Sequence, residues 1–172
     1  MTLPDTLVPD ERRTLSLPSG GNVEVPTATP AFPKWVGETP NDTYGGKTVL
    51  DANGTPVFAE LLILRRFEKV GWNGVWIDTF RRTYRRHYWK DEPEITPPER
   101  VQRSLHAIAD ANDSASGCFD VCAWTEEHLL FAEAKRNSHD AIRKTQKEWL
   151  ESALNAGIGI NSFLIVEWSL AE

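Results

Sequence analysis

The chain has 172 residues, of which 40% are apolar and 26% charged, an ordinary globular composition that allows one domain with a full hydrophobic core. No run of about 18 apolar residues occurs. Met1-Thr-Leu-Pro-Asp also lacks the basic start and apolar middle of a secretory signal, so the sequence reads as soluble and cytoplasmic, without a membrane partner.

Seven of the eleven prolines lie in residues 1–42, among Thr, Ser, Gly and Glu, with no sustained helical or strand period. Residues 1–45 therefore read as a Pro-rich extended arm, partly ordered around Phe32 and Trp35, preceding a domain over 46–172. In "GKTVLDANGTPVF", Asn53-Gly54 between β-prone runs predicts a hairpin. "VFAELLILRRFEKV" has apolar residues at helical spacing and predicts a helix from Val57 to about Val70, stopped by Gly71.

"GVWIDTFRRTYRRHYW" alternates from Val75 to Tyr84 and predicts one strand. It runs into a basic island. The net charge of −6 is uneven: residues 1–64 hold four Lys/Arg against eight Asp/Glu, residues 65–90 hold eight against two, and residues 91–172 hold seven against fifteen. Arg65, Arg66, Lys69, Arg81, Arg82, Arg85, Arg86 and Lys90 are interleaved with Trp72, Trp76, Tyr84, Tyr88 and Trp89. Such a band can neutralise phosphates and stack on bases or sugars; it is equally a solvated face whose arginines pair with the acidic remainder.

"DEPEITPPE" breaks the chain, and "ERVQRSLHAIADA" predicts a helix with Val101, Leu105, Ile108 and Ala109 on one face, before the loop "NDSASG". "GCFDVCAWTEEHLLFAEAKR" then divides into two strands around Thr125–Glu127. Alternation puts Cys118, Asp120 and Cys122 on one face of the first, and Leu129, Phe131, Glu133 and Lys135 on one face of the second. Two cysteines four apart in a strand are about 13 Å apart, too far to bridge or share a metal, so both read as buried thiols. "SHDAIRKTQKEWLESALNAG" predicts a helix capped by Ser138 and Asp140, with Ile142, Trp149, Leu150, Ala153 and Leu154 inward and a stop at Gly157. "SFLIVEW" closes as a buried strand. With the 99–111 helix set aside as an insertion, the order is helix, three strands, helix, strand.

Asp120, Glu133 and Lys135 are charges in apolar surroundings, which need partners. Pairing the two strands can bring Asp120 to the end carrying Glu133 and Lys135. Two close carboxylates repel unless a cation neutralises them, and a hard divalent ion such as Mg²⁺ suits oxygen ligands. A lysine on the same face can orient or deprotonate a water, or stabilise developing phosphate charge. Glu60 and Gln146 likewise interrupt apolar helix faces and should point inward. Glu-x-Lys alone is common and reads as well as a solvated ion pair on an edge strand.

"GCFDV", "FAEAKR" and "DAIRKTQKEWLESALNAG" resemble the core of the PD-(D/E)xK nuclease superfamily, and the glutamine-tryptophan helix most resembles its VRR-NUC branch. The likeness spans about residues 56–168 and is strongest over 117–157. It implies a restriction endonuclease-like αβββαβ core with a mixed α/β sheet, here with an inserted helix and the Pro-rich arm. It also implies that Asp120, Glu133 and the Ala134 carbonyl are metal ligands, Lys135 the catalytic lysine, Glu60 the first-helix acid and Gln146 the second-helix glutamine. Phe119 stands where the family often has proline.

The resulting expectation is a nuclease using Mg²⁺, with Mn²⁺ able to substitute, that hydrolyses phosphodiester bonds of nucleic acid, DNA in preference to RNA. Arg81, Arg82, Arg85, Arg86 and Arg136 would contact the phosphate backbone. A catalytically silent nucleic-acid-binding module of the same fold and a protein-interaction domain are the alternatives. A homodimer is compatible with cutting two strands, although no residue specifies one.

Overall fold

The computed structural model of the chain describes residues 2–79, 81–88, 93–114 and 116–171; Trp89 and Lys90 of the basic island lie outside the described residues. Strands β1 (Glu11–Ser16), β2 (Asn22–Ala28) and β3 (Ala31–Phe32) come first, followed by the short pair β4 (Leu50–Asp51) and β5 (Pro56–Val57). Helix α1 (Ala59–Lys69), β6 (Asn73–Asp78), β7 (Thr83–Arg85), α2 (Glu99–Ala111), β8 (Val121–Trp124), β9 (Leu129–Arg136), α3 (Lys144–Asn155) and β10 (Phe163–Leu170) follow. The fold is mixed α/β, with three helices among the described residues, and none of them is long and apolar enough to cross a membrane.

The main sheet has the order β1-β2-β10-β9-β8-β6-β7, with β3 continuing along the end of β10. It is mixed: β10 runs parallel to β9, β2 and β3, whereas β9, β8, β6 and β7 are joined antiparallel. Strict alternation builds a core layer on each face. Val121, Ala123, Leu130, Ala132, Leu164 and Val166 face α1, while Cys122, Phe131, Phe163 and Ile165 face α3 and α2. The second layer is aromatic at its centre, with Trp149 edge-on to Phe131 and Phe163 and stacked near Phe119.

Helix α1 explains the largest difference from the sequence reading. Leu61, Leu62, Ile63, Leu64 and Phe67 are all buried, so apolar residues surround the helix and the sheet can cover only one side of it. Leu7, Phe32 and Leu50 cover the rest, each with no exposed surface. Residues 2–45 are therefore not the extended arm read over 1–45. They supply a hairpin, β1–β2, that extends the sheet beyond β10, and a wrap that completes the α1 layer. The prolines obscured this, but they sit where the ladder tolerates them: Pro26 lies opposite Arg12 just before the two residues, Thr27 and Ala28, that pair with β10.

A second difference is that the single strand read over 75–84 is two. The Asp78 carboxylate accepts the Arg81 N–H (3.1 Å) and its guanidinium (3.0 Å), and this turn folds β7 back on β6. Third, α3 begins at Lys144, since Asp140 is used one turn earlier to accept the Arg136 N–H (3.0 Å) rather than to cap the helix. The Asn53-Gly54 turn is as read, both residues having positive φ (56° and 86°) between β4 and β5.

Because Phe32 is wholly buried and stacks on Trp168 at 6.0 Å, Phe32→Ala should lower unfolding free energy by about 3–5 kcal/mol in urea titrations. A free arm would show no change.

Candidate active site

The β8–β9 register is what the sequence could not give. Val121 pairs with Ala132, which places Asp120, one residue before β8, beside Glu133. Asp120 Oδ2 accepts the Ala134 N–H at 3.0 Å. The N–H and C=O of a strand residue point toward the same neighbour, so the Ala134 carbonyl also turns to the Asp120 side, past the end of β8.

Glu133 is 1% exposed. Its Oε1 takes the Lys135 ammonium at 2.7 Å and the Gln146 amide N–H. Gln146 Oε1 in turn accepts the Arg143 N–H (2.9 Å) at the start of α3, so one side chain caps the helix and holds the carboxylate. Glu133 Oε2 is buried with no hydrogen-bond partner. Gly117 (φ 79°) keeps this assembly closed: a Cβ there would lie 2.0 Å from the Thr145 carbonyl oxygen, so only glycine lets the segment before Asp120 touch the first turn of α3.

Glu60, at the start of α1, points into the same cleft and is ion-paired with Lys47. Lys47 was missed in the sequence, where it is one lysine in a glycine turn with no periodic signal. Its ammonium also sits 5.9 Å from the centroids of Phe58 and Trp76. The cleft encloses about 1230 Å³ between the loop before β4, the start of α1, the end of the sheet, α2 and the start of α3. All five residues of the proposed constellation line it: Glu60, Asp120, Glu133, Lys135 and Gln146.

The basic island divides. Arg82 is exposed and lines the cleft, as does Arg136, which donates to Thr48 Oγ1 (3.1 Å) and lies over the Trp168 ring. Arg81 is committed to Asp78, Arg86 to Glu68 (2.5 and 2.8 Å), and Arg85 Nε donates to Thr83 Oγ1 (3.1 Å). Trp72 and Trp76 belong to the α1 core layer and do not offer faces to bases. The cysteines are buried and free as expected, although Cys118 precedes β8 rather than sharing it with Cys122.

Electrostatically the floor is poised for a cation. Burial pushes the Asp120 carboxyl well up, and the neighbouring Glu133 and Glu60 push it further, against Lys47 and the Ala134 amide. Burial likewise raises Glu133, with a smaller push from Glu60, only partly opposed by Lys135 and by the adjoining Asp120. For Lys47, burial pulls the ammonium down, but Glu60, and beyond it Asp120 and Asp78, prevail and the net shift is upward. Among the described residues no three His, Cys, Asp or Glu side chains close into a cage. The donors are instead two carboxylates, one with an unpartnered buried oxygen, and a main-chain carbonyl. That set fits Mg²⁺, which keeps several waters and takes one or two carboxylates.

Both carboxyls bind their protons more tightly in the fold than in the unfolded chain. Metal-free protein therefore gains stability as pH falls through their raised values toward the ordinary range near about 4, and loses it as pH rises through them. Melting in chelator from about pH 5 to 8 should show Asp120→Asn gaining on wild type as pH rises; a constant difference would mean Asp120 titrates normally. No protein family, curated protein or solved structure matches the chain, and the functional reading rests on the geometry of this site.

Proposed function

We propose that the chain is a metal-dependent nuclease that hydrolyses phosphodiester bonds of DNA. On this reading α1, β6, β8, β9, α3 and β10 form the restriction endonuclease-like αβββαβ core, and β7 and α2 are insertions. The antiparallel run β6-β8-β9, followed by α3 and the parallel β10, supports it. The observation that carries the proposal is the buried, unpartnered Oε2 of Glu133 next to Asp120 on the floor of an open cleft. A buried carboxylate oxygen without a donor costs free energy unless a ligand completes it.

Asp120, Glu133 and the Ala134 carbonyl would hold Mg²⁺ or Mn²⁺, which when bound polarises a phosphoryl oxygen and acidifies water. The chain's own residues do the rest. Lys135, fixed by Glu133, offers its remaining ammonium protons to the water or to a non-bridging phosphate oxygen. Gln146 keeps Glu133 in one rotamer, and Glu60 adds a third negative charge from the α1 side. Arg82 and Arg136 carry the backbone grip at the cleft, since Arg81 and Arg86 are engaged by carboxylates.

A panel of linear, nicked, flapped and four-way DNA with Mg²⁺ or Mn²⁺ tests the proposal. Wild type should cut at least one substrate, Lys135→Ala and Glu133→Ala should remove cutting while the fold is retained, and Gln146→Ala should slow it less. Salt-dependent binding without cleavage would instead indicate a silent module, and neither binding nor cleavage an interaction protein. Independently of substrate, metal at about 100 times its dissociation constant should stabilise wild type by roughly 2.7 kcal/mol, read as a rise in Tm, and stabilise Asp120→Asn less. Equal shifts would remove Asp120 as a ligand.

A further inference from the structure

We propose that Lys47 is a second substrate-contacting lysine of this site, donating to a phosphate oxygen from the side of the cleft opposite Lys135; the inference rests on the nuclease reading above. The two lysines reach the floor from different faces of the sheet. Lys135 shares the face of Phe131, toward α3, whereas Lys47 comes from the loop before β4 and lies over Phe58, at the start of α1, and Trp76 of the α1 layer. Its ammonium has three donors and Glu60 occupies one, while 39% of the side chain is open to solvent and the residue lines the cleft.

The loop is anchored on both sides of Lys47. Tyr44 packs edge-on against Phe58 (5.1 Å) and Trp76 (5.4 Å), and Thr48 receives Arg136, the residue after Lys135. The ammonium is thus presented by a fixed scaffold, which lowers the entropic cost of using it on a ligand.

Charge counting gives the physical reason for it. The floor holds three carboxylates, Glu60, Asp120 and Glu133, against the ammonium of Lys135. With all of them ionised, a divalent cation would bring that set only to neutrality, leaving the phosphodiester to be held by Arg82 and Arg136 elsewhere along the cleft. Lys47 adds the charge that makes the metal-loaded floor net positive by one, matching the single negative charge of the diester.

The alternative role, neutralising Glu60 and nothing more, makes a different prediction. The experiment measures binding of duplex DNA with Mg²⁺ across a salt series in the Lys135→Ala background, where turnover is absent. Adding Lys47→Met should weaken binding roughly tenfold and flatten the log–log salt slope by about 0.9. Lys47→Arg should keep the slope, and melting curves check that each variant is folded. Lys47→Met combined with Glu60→Gln should stay as flat as Lys47→Met alone. Recovery of the parent slope and affinity in that double variant would overturn the inference, since it would show Lys47 acting only on Glu60. Failure of the nuclease reading is seen separately, in wild type that cuts no substrate of the panel.

Discussion

A carboxylate with 1% exposure in the middle of a sheet is the constraint around which the rest of this molecule is arranged. Glu133 cannot stay there unaided, and its two donors come from different sources: Lys135 from the same face of its own strand and Gln146 from the next helix. Because Gln146 also caps α3, the position of that helix along the sheet is tied to the carboxylate. Because α3's first turn touches Gly117, the approach to Asp120 is tied to it as well. One buried charge therefore sets the relative placement of β8, β9 and α3.

The distribution of charge follows a similar logic on a larger scale. The segment with the greatest surplus of arginine is not a free cationic face: Glu68 takes Arg65 and Arg86, and Asp78 takes Arg81. The cations that line the cleft, Lys47, Arg82, Lys135, Arg136 and Arg143, come from four separate segments, and of these Arg82 alone belongs to the arginine-rich run. A run of arginines in sequence marks where charge is plentiful, whereas the fold decides where it is available.

That contrast explains which parts were legible in the sequence. The α1 and α2 helices, β9 and β10 have strong periodicity, so their existence, and the shared face of Glu133 and Lys135, could be read directly. Their mutual register could not, because alternation says which face a residue takes and not which residue lies opposite. The N-terminal strands were misread because β1 is an edge strand with mostly exposed side chains and β2 carries a proline, so neither alternation nor composition advertises a strand. The start of α3 was placed too early because Ser138 and Asp140 are good capping residues spent on a preceding turn, while the N-cap falls on Arg143. Lys47 lies thirteen positions from Glu60 in a glycine turn, and no local pattern connects the two.

Strand β10 lies in the interior of the sheet, although residues 163–170 are synthesised after every strand that flanks them. Its register with β2 joins Ile165 to Thr27 across most of the chain's length, and pairings of such separation close slowly. A growing chain that has not reached residue 163 carries Glu133 and Lys135 on a strand lacking its parallel neighbour, and its β1–β2 hairpin has no sheet to join. The strand that carries Glu133 and Lys135 therefore gains its parallel neighbour only once residues 163–170 have been made, and a chain stalled on the ribosome before that point holds the floor of the cleft on an incomplete sheet.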